Sequence, residues 1–110
     1  MPEMQNITLY HGDNGAHEFY ETASGTKPHL VIIRHHQSEA WFVLLARPAI
    51  REIPAGPLSA VIRDVAEATG HRIAIDPSLE FTEPRDAAEN MVLREIDLQA
   101  EARIRALAEV

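Results

Sequence analysis

Six histidines occur in 110 residues, and five of them fall within the first 36. His11, Asp13, His17, Glu18 and Glu21 crowd one short stretch, a mixture of imidazoles and carboxylates of the kind that holds a divalent cation. If residues 16–23 are helical, His17 and Glu21 stand one turn apart, and His11, Asp13, His17 and Glu21 form a candidate metal set. The run His17-Glu18-Phe19-Tyr20-Glu21 has Glu where an HExxH zinc motif has its second His. Polar loop residues flanking a turn are therefore the plainer expectation.

His35 and His36 close an apolar run, and neighbours on a strand point to opposite faces, so the pair cannot share one ion without a bend. If either lies in an interface, protonation near pH 6 weakens assembly there, which makes both candidate pH-sensitive residues. Nucleophilic catalysis falls to Ser or Thr, because the chain has no cysteine. Ser24 and Ser38 lie near histidines, but neither occupies a Gly-x-Ser-x-Gly elbow. The five glycines never form GxGxxG or a Walker loop. No catalytic residue and no cofactor is expected, and the absence of cysteine removes disulfides and all thiolate metal sites.

These side chains need elements to place them. Asn6 to Tyr10 reads as a short strand, followed by a Gly12-Asp13-Asn14-Gly15 turn. Residues 16–23 suit either a strand or two helical turns. Leu30-Val31-Ile32-Ile33 and Trp41-Phe42-Val43-Leu44-Leu45 form a hairpin, and an unbroken apolar run means that both faces of each strand leave water. Residues 49–53 add an edge strand. Leu58, Val61, Ile62, Val65 and Ala68 make one helical stripe, stopped by Gly70 as a C′ residue. Residues 71–75 give a short strand, Asp76-Pro77-Ser78 a turn, and Thr82 an N-cap. Leu93, Ile96, Ala100, Ile104 and Leu107 then recur at helical spacing to the end. The competing reading extends part of residues 91–99.

The expectation is one α+β domain over residues 1–110: a small, mainly antiparallel sheet of three to five strands, one helix after the central hairpin and a long C-terminal helix. That last helix, about 83–108, is long enough, at about 36 Å for residues 85–108, to overhang a core whose radius of gyration is about 13 Å. Two helices side by side cover one face of such a sheet. The other face then calls for residues 16–23 folded back or for a second copy, and the homodimer is the favoured solution. Its expected interface is Leu30, Ile32, Trp41, Val43, Leu93, Ile96, Ile104 and Leu107.

The formal net charge of −7 repels phosphate backbones and anionic lipid, so direct nucleic-acid and membrane partners are not expected. The first residues carry no basic or apolar leader pattern, and the longest apolar run is too short to span a bilayer, which points to a cytoplasmic location.

Two stretches resemble known folds. Ile53-Pro54-Ala55-Gly56-Pro57-Leu58 through Gly70-His71-Arg72-Ile73-Ala74-Ile75-Asp76-Pro77-Ser78-Leu79 is similar to the strand-helix-strand opening of the short N-terminal domain of secretins and TonB-dependent receptors. That family's second βα unit is not evident after Leu79. Val61 to Gly70 resembles the first helix and turn of a LacI-type helix-turn-helix, but strand-like residues follow where a recognition helix belongs.

The leading expectation is a small non-catalytic protein, regulatory or accessory, that acts as a homodimer and binds another protein. Its contact surfaces are the acidic outer face of residues 83–109 and the apolar side of the hairpin around Trp41. The alternatives are a metal- or small-ligand-binding protein using the His/carboxylate set, and an acidic mimic of nucleic acid that occupies a basic partner.

Overall fold

The computed structural model describes residues 6–23, 29–45, 50–80 and 87–109. Six strands, β1 (Asn6–Asp13), β2 (His17–Glu21), β3 (Val31–His35), β4 (Trp41–Leu44), β5 (Ile50–Ile53) and β6 (Arg72–Glu80), join in one sheet. Helix α1 (Leu58–Thr69) lies between β5 and β6 in sequence, and α2 (Ala87–Ala108) ends the chain. The strand order is β5-β4-β3-β2-β1-β6. Strands β1 to β5 form an antiparallel meander, while β6 pairs with β1 in parallel.

The α+β class expected from the sequence is present, with a larger and mixed sheet. Residues 16–23 supply a strand, not a helix: β2 sits between β1 and β3, where Phe19 and Tyr20 are buried on opposite faces. β1 continues through Asp13, so the turn is confined to Asn14-Gly15-Ala16. Asp13 Oδ1 accepts from the Gly15 N–H at 2.8 Å, and Asn14 Oδ1 accepts from the N–H groups of Ala16 and His17. Gly15 has φ +91°, a conformation that costs a side-chain-bearing residue dearly. Asp76-Pro77-Ser78 does not end its strand. Leu9 faces Ile75 and His11 faces Glu80, so the irregularity in register absorbs this local turn within β6.

The α1 stripe works as its spacing predicts. Val61 and Val65 are buried against Ile7, Leu9, Tyr20, Leu30, Ile32, Trp41 and Val43, with Leu58 and Ile62 at the margin. Gly70, at φ +71°, donates its N–H to the Ala66 carbonyl at 2.9 Å and stops the helix. β6 follows directly, so α1 has no recognition helix after it. β5 and β6 lie on opposite edges of the sheet, so residues 51–79 do not pack as a separate strand-helix-strand unit.

The two helices take opposite faces, which corrects the side-by-side arrangement. α2 lays Val92 and Ile96 on Phe19, Val31, Ile33, Phe42 and Leu44, with Leu93 alongside. An apolar stripe fixes that a helix must dock but carries no information about which side of a sheet it takes. Both greasy faces of the β3–β4 hairpin are thus covered by the chain itself. Leu30, Ile32, Trp41 and Val43, expected at a partner interface, are at most 2% exposed in one copy, and Ile96 is likewise buried.

Past Ala100 no described residue of α2 is buried, and only the Arg103 side chain reaches back, to Ser38 and Glu52. Every described residue from Glu101 to Glu109 is exposed, and the molecule is drawn out to 55 Å along one axis against 28 and 24 Å across.

Candidate functional site

Strand register decides which histidines meet. His17 pairs directly with His35 across β2 and β3, so both imidazoles rise from the same face, the one that α2 covers. Their rings stand edge to face with centroids 4.9 Å apart. Helix α2 brings Asp97, one residue after the buried Ile96, down beside them. Its Oδ1 lies 3.0 Å from His17 Nε2 and 3.8 Å from His35 Nε2. His17 is buried, whereas the Asp97 side chain is 58% exposed, so the cluster is closed below and open to solvent above. The Gln37 N–H donates to His35 Nδ1 at 3.0 Å and fixes the orientation of that ring.

The candidate metal set His11, Asp13, His17 and Glu21 is not brought together. On a strand, His17 and Glu21 are about 13 Å apart, not one helical turn. Asp13 instead pairs with His36 Nε2 at 2.9 Å. That contact, with help from the Gly15 N–H, holds the Asp13 carboxyl below its ordinary value of 3.8. His11 stacks on Tyr20 at 4.9 Å between centroids. Glu21 is buried 3.8 Å from His29 Nε2. His35 and His36 diverge as expected, one toward α2 and one toward Asp13, and neither lies beside Ile104 or Leu107 on the overhang.

On the α1 side a second polar group is held among apolar residues. Glu18 Oε2 accepts from Arg34 Nη2 at 2.9 Å, and Glu18 Oε1 accepts from the Tyr20 hydroxyl at 2.7 Å. The Arg34 guanidinium lies over the Trp41 ring, 4.4 Å from its centre, and the indole N–H donates to the Gly56 carbonyl at 3.1 Å. These contacts tie β2, β3, β4 and the approach to α1 together, with Arg34 Nε buried and not hydrogen-bonded. A groove of about 340 Å³ between β5 and the start of α1 is spanned by the Arg51–Asp64 pair at 3.0 Å.

Burial first, then the bond to Glu18, raises the Tyr20 pKa above the ordinary 10.0. An unfolded tyrosine ionises near pH 10 while the folded one keeps its proton, so this stabilisation is complete below pH 10 and declines as pH rises beyond it. In a spectrophotometric titration the Tyr20→Phe variant is expected to lose the late-ionising phenolate signal. Its unfolding free energy should fall less steeply above pH 10 than that of the parent, and equal slopes would contradict this.

Ser38, a candidate nucleophile, accepts from the Ala40 N–H and from Arg103 Nη1, while Arg103 Nη2 donates to Glu52 Oε1 at 3.3 Å. It fastens α2 to the end of the sheet. Ser24 and Thr82 lie outside the described residues. Asp97, Arg34 and Arg103 were not singled out by the sequence; only the register and the side taken by α2 place them, and Asp97 stands 80 positions from His17.

The exposed large apolar side chains are Met91, Leu98, Ile104 and Leu107. At 100° per residue, Leu107 is in line with Ile96 and Ala100, and Ile104 with Leu93. The stripe that docks α2 on the sheet therefore continues past the body, where Ile104 is 58% and Leu107 78% exposed. Met91 and Leu98 stand on the opposite side of the helix. No described helix is long and apolar enough to cross a membrane.

With this geometry in view, comparison with known proteins adds no relative: no family model matches the chain, nor does any curated protein or solved structure.

Proposed function

We propose that this protein is a non-catalytic protein-binding domain of regulatory or accessory type that self-associates through the free half of α2. The observation that carries the reading is the continuation of one apolar stripe from the partly buried Leu93 and the buried Ile96 to the exposed Ile104 and Leu107. Apolar surface at regular spacing on a projecting helix gains most by meeting a second helix.

Charge favours a second copy as the first partner. Leu98 to Glu109 contains Glu101, Glu109, Arg103 and Arg105, so the overhang is locally neutral although the chain is at −7. Crossed antiparallel, two overhangs bring Glu101 of each copy toward the Arg105 end of the other. A strongly basic partner, as the nucleic-acid-mimic reading requires, finds no acidic excess at this patch.

The sheet edges argue the same way. β5 carries Arg51 and Glu52, and β6 carries Pro77 with an irregular register, features that discourage edge-to-edge extension.

Sedimentation equilibrium tests the reading. The parent is expected to dimerise with a dissociation constant of about 1–50 μM, as suits a small interface. The Ile104→Asp/Leu107→Asp variant should be weakened about 100-fold or more. A parent that remains monomeric at millimolar concentration, or a variant that dimerises equally well, overturns it.

A further inference from the structure

We infer that His17, His35 and Asp97 form a binding site for a late first-row divalent metal ion, of the Zn²⁺, Co²⁺ or Ni²⁺ class, clamped between the sheet and α2. The inference is independent of self-association, because the cluster lies on the docked half of the helix. One ligand atom from each of His17, His35 and Asp97 lies within 4.8 Å of the other two. Donor atoms around a tetrahedral zinc stand about 3.4 Å apart, given bonds of about 2.0–2.1 Å. The 3.0 and 3.8 Å separations of the two imidazole Nε2 atoms from Asp97 Oδ1 bracket that value.

The positions are prepared by the fold. Two imidazoles on directly paired residues of neighbouring strands have their Cα atoms fixed by the ladder. The carboxylate arrives from a separate element whose neighbouring residue, Ile96, is locked in the core. Two imidazoles and one carboxylate suit zinc, cobalt and nickel better than magnesium or calcium, which prefer all-oxygen sites. No Arg or Lys among the described residues pairs with Asp97, so its charge is free to meet a cation. Its exposure leaves the remaining coordination position to water.

Two hydrogen bonds must change. The Gln37 N–H donates to His35 Nδ1 and Asp97 Oδ1 accepts from His17 Nε2, so each neutral, metal-free ring carries its proton on Nε2. On loading, the proton of each ring moves to its Nδ1, the metal ion replaces the His17–Asp97 hydrogen bond, and the exposed Gln37 N–H turns to water.

Calorimetric titration of tag-free protein with ZnCl₂, paired with the visible spectrum of the CoCl₂-loaded protein, provides the test. The parent is expected to bind one equivalent with a dissociation constant below about 10 μM. Tetrahedral cobalt should give an intense visible band. Asp97→Asn, at an exposed position, and His35→Ala should each weaken binding at least about tenfold, as loss of one of three ligands requires. His11→Ala and His36→Ala should leave it unchanged. Absence of zinc binding up to about 100 μM, or equal binding by Asp97→Asn and His35→Ala with folded circular dichroism spectra, overturns the site. The cluster would then be a hydrogen-bonded pin for α2.

Discussion

Trp41→Ala is expected to lower the unfolding free energy by about 4–6 kcal/mol. Truncating a buried tryptophan costs about 3–5 kcal/mol, and here two further ties go with it. The indole N–H bond to Gly56 holds β4 to the approach of α1, and the ring face supports the Arg34 guanidinium. With the ring gone, Arg34 and Glu18 are left around a cavity beside Tyr20. A domain of this size has about 5–15 kcal/mol in total, so the variant should melt about 15 °C lower or worse. Urea unfolding followed by far-ultraviolet circular dichroism measures it. Trp41→Phe, which keeps most of the volume, should recover more than half of the loss. A cost below about 1 kcal/mol for Trp41→Ala would mean that the ring is not packed between β3, β4 and α1.

Ile96→Ala is expected to cost about 2–5 kcal/mol and to do so locally. Among the described α2 side chains, Ile96 and Val92 are the two fully buried on the Phe19, Ile33 and Phe42 face. Weakening that seat also loosens the Asp97 contact with His17 and the Arg103 contacts with Ser38 and Glu52. Amide hydrogen exchange should show α2 losing protection first while α1 and strands β1 to β3 keep theirs, because the α1 face is packed independently. Uniform loss of protection across the chain would show that the two faces fold as a single unit.

The sequence exposes those parts of the fold that rest on short-range pattern. The spacing Leu58, Val61, Ile62, Val65 with Gly70 behind it defines α1, and the uninterrupted apolar runs define β3 and β4 as strands buried on both faces. Residues 16–23 lack a decisive period, and only pairing between β1 and β3 makes them a strand. The parallel partnership of β1 and β6 leaves no local trace, because it is set by the crossover through α1. The choice of face is equally invisible: from a sheet greasy on both sides and two amphipathic helices, a partner for the second face follows only if the helices lie side by side. They do not. The candidate site shows the same limit, since His17 stands out by type alone, while His35 and Asp97 join it through strand register and a contact spanning 80 residues.

Everything turns on whether one copy of the chain covers its own sheet. The direct measurement is the urea midpoint of the Ile104→Asp/Leu107→Asp variant at protein concentrations spanning about 100-fold. With α1 on one face and α2 on the other, the variant should unfold in one cooperative transition at a midpoint independent of concentration. A midpoint that climbs with concentration, or a variant that folds only when concentrated, would show that the sheet borrows its cover from a second molecule.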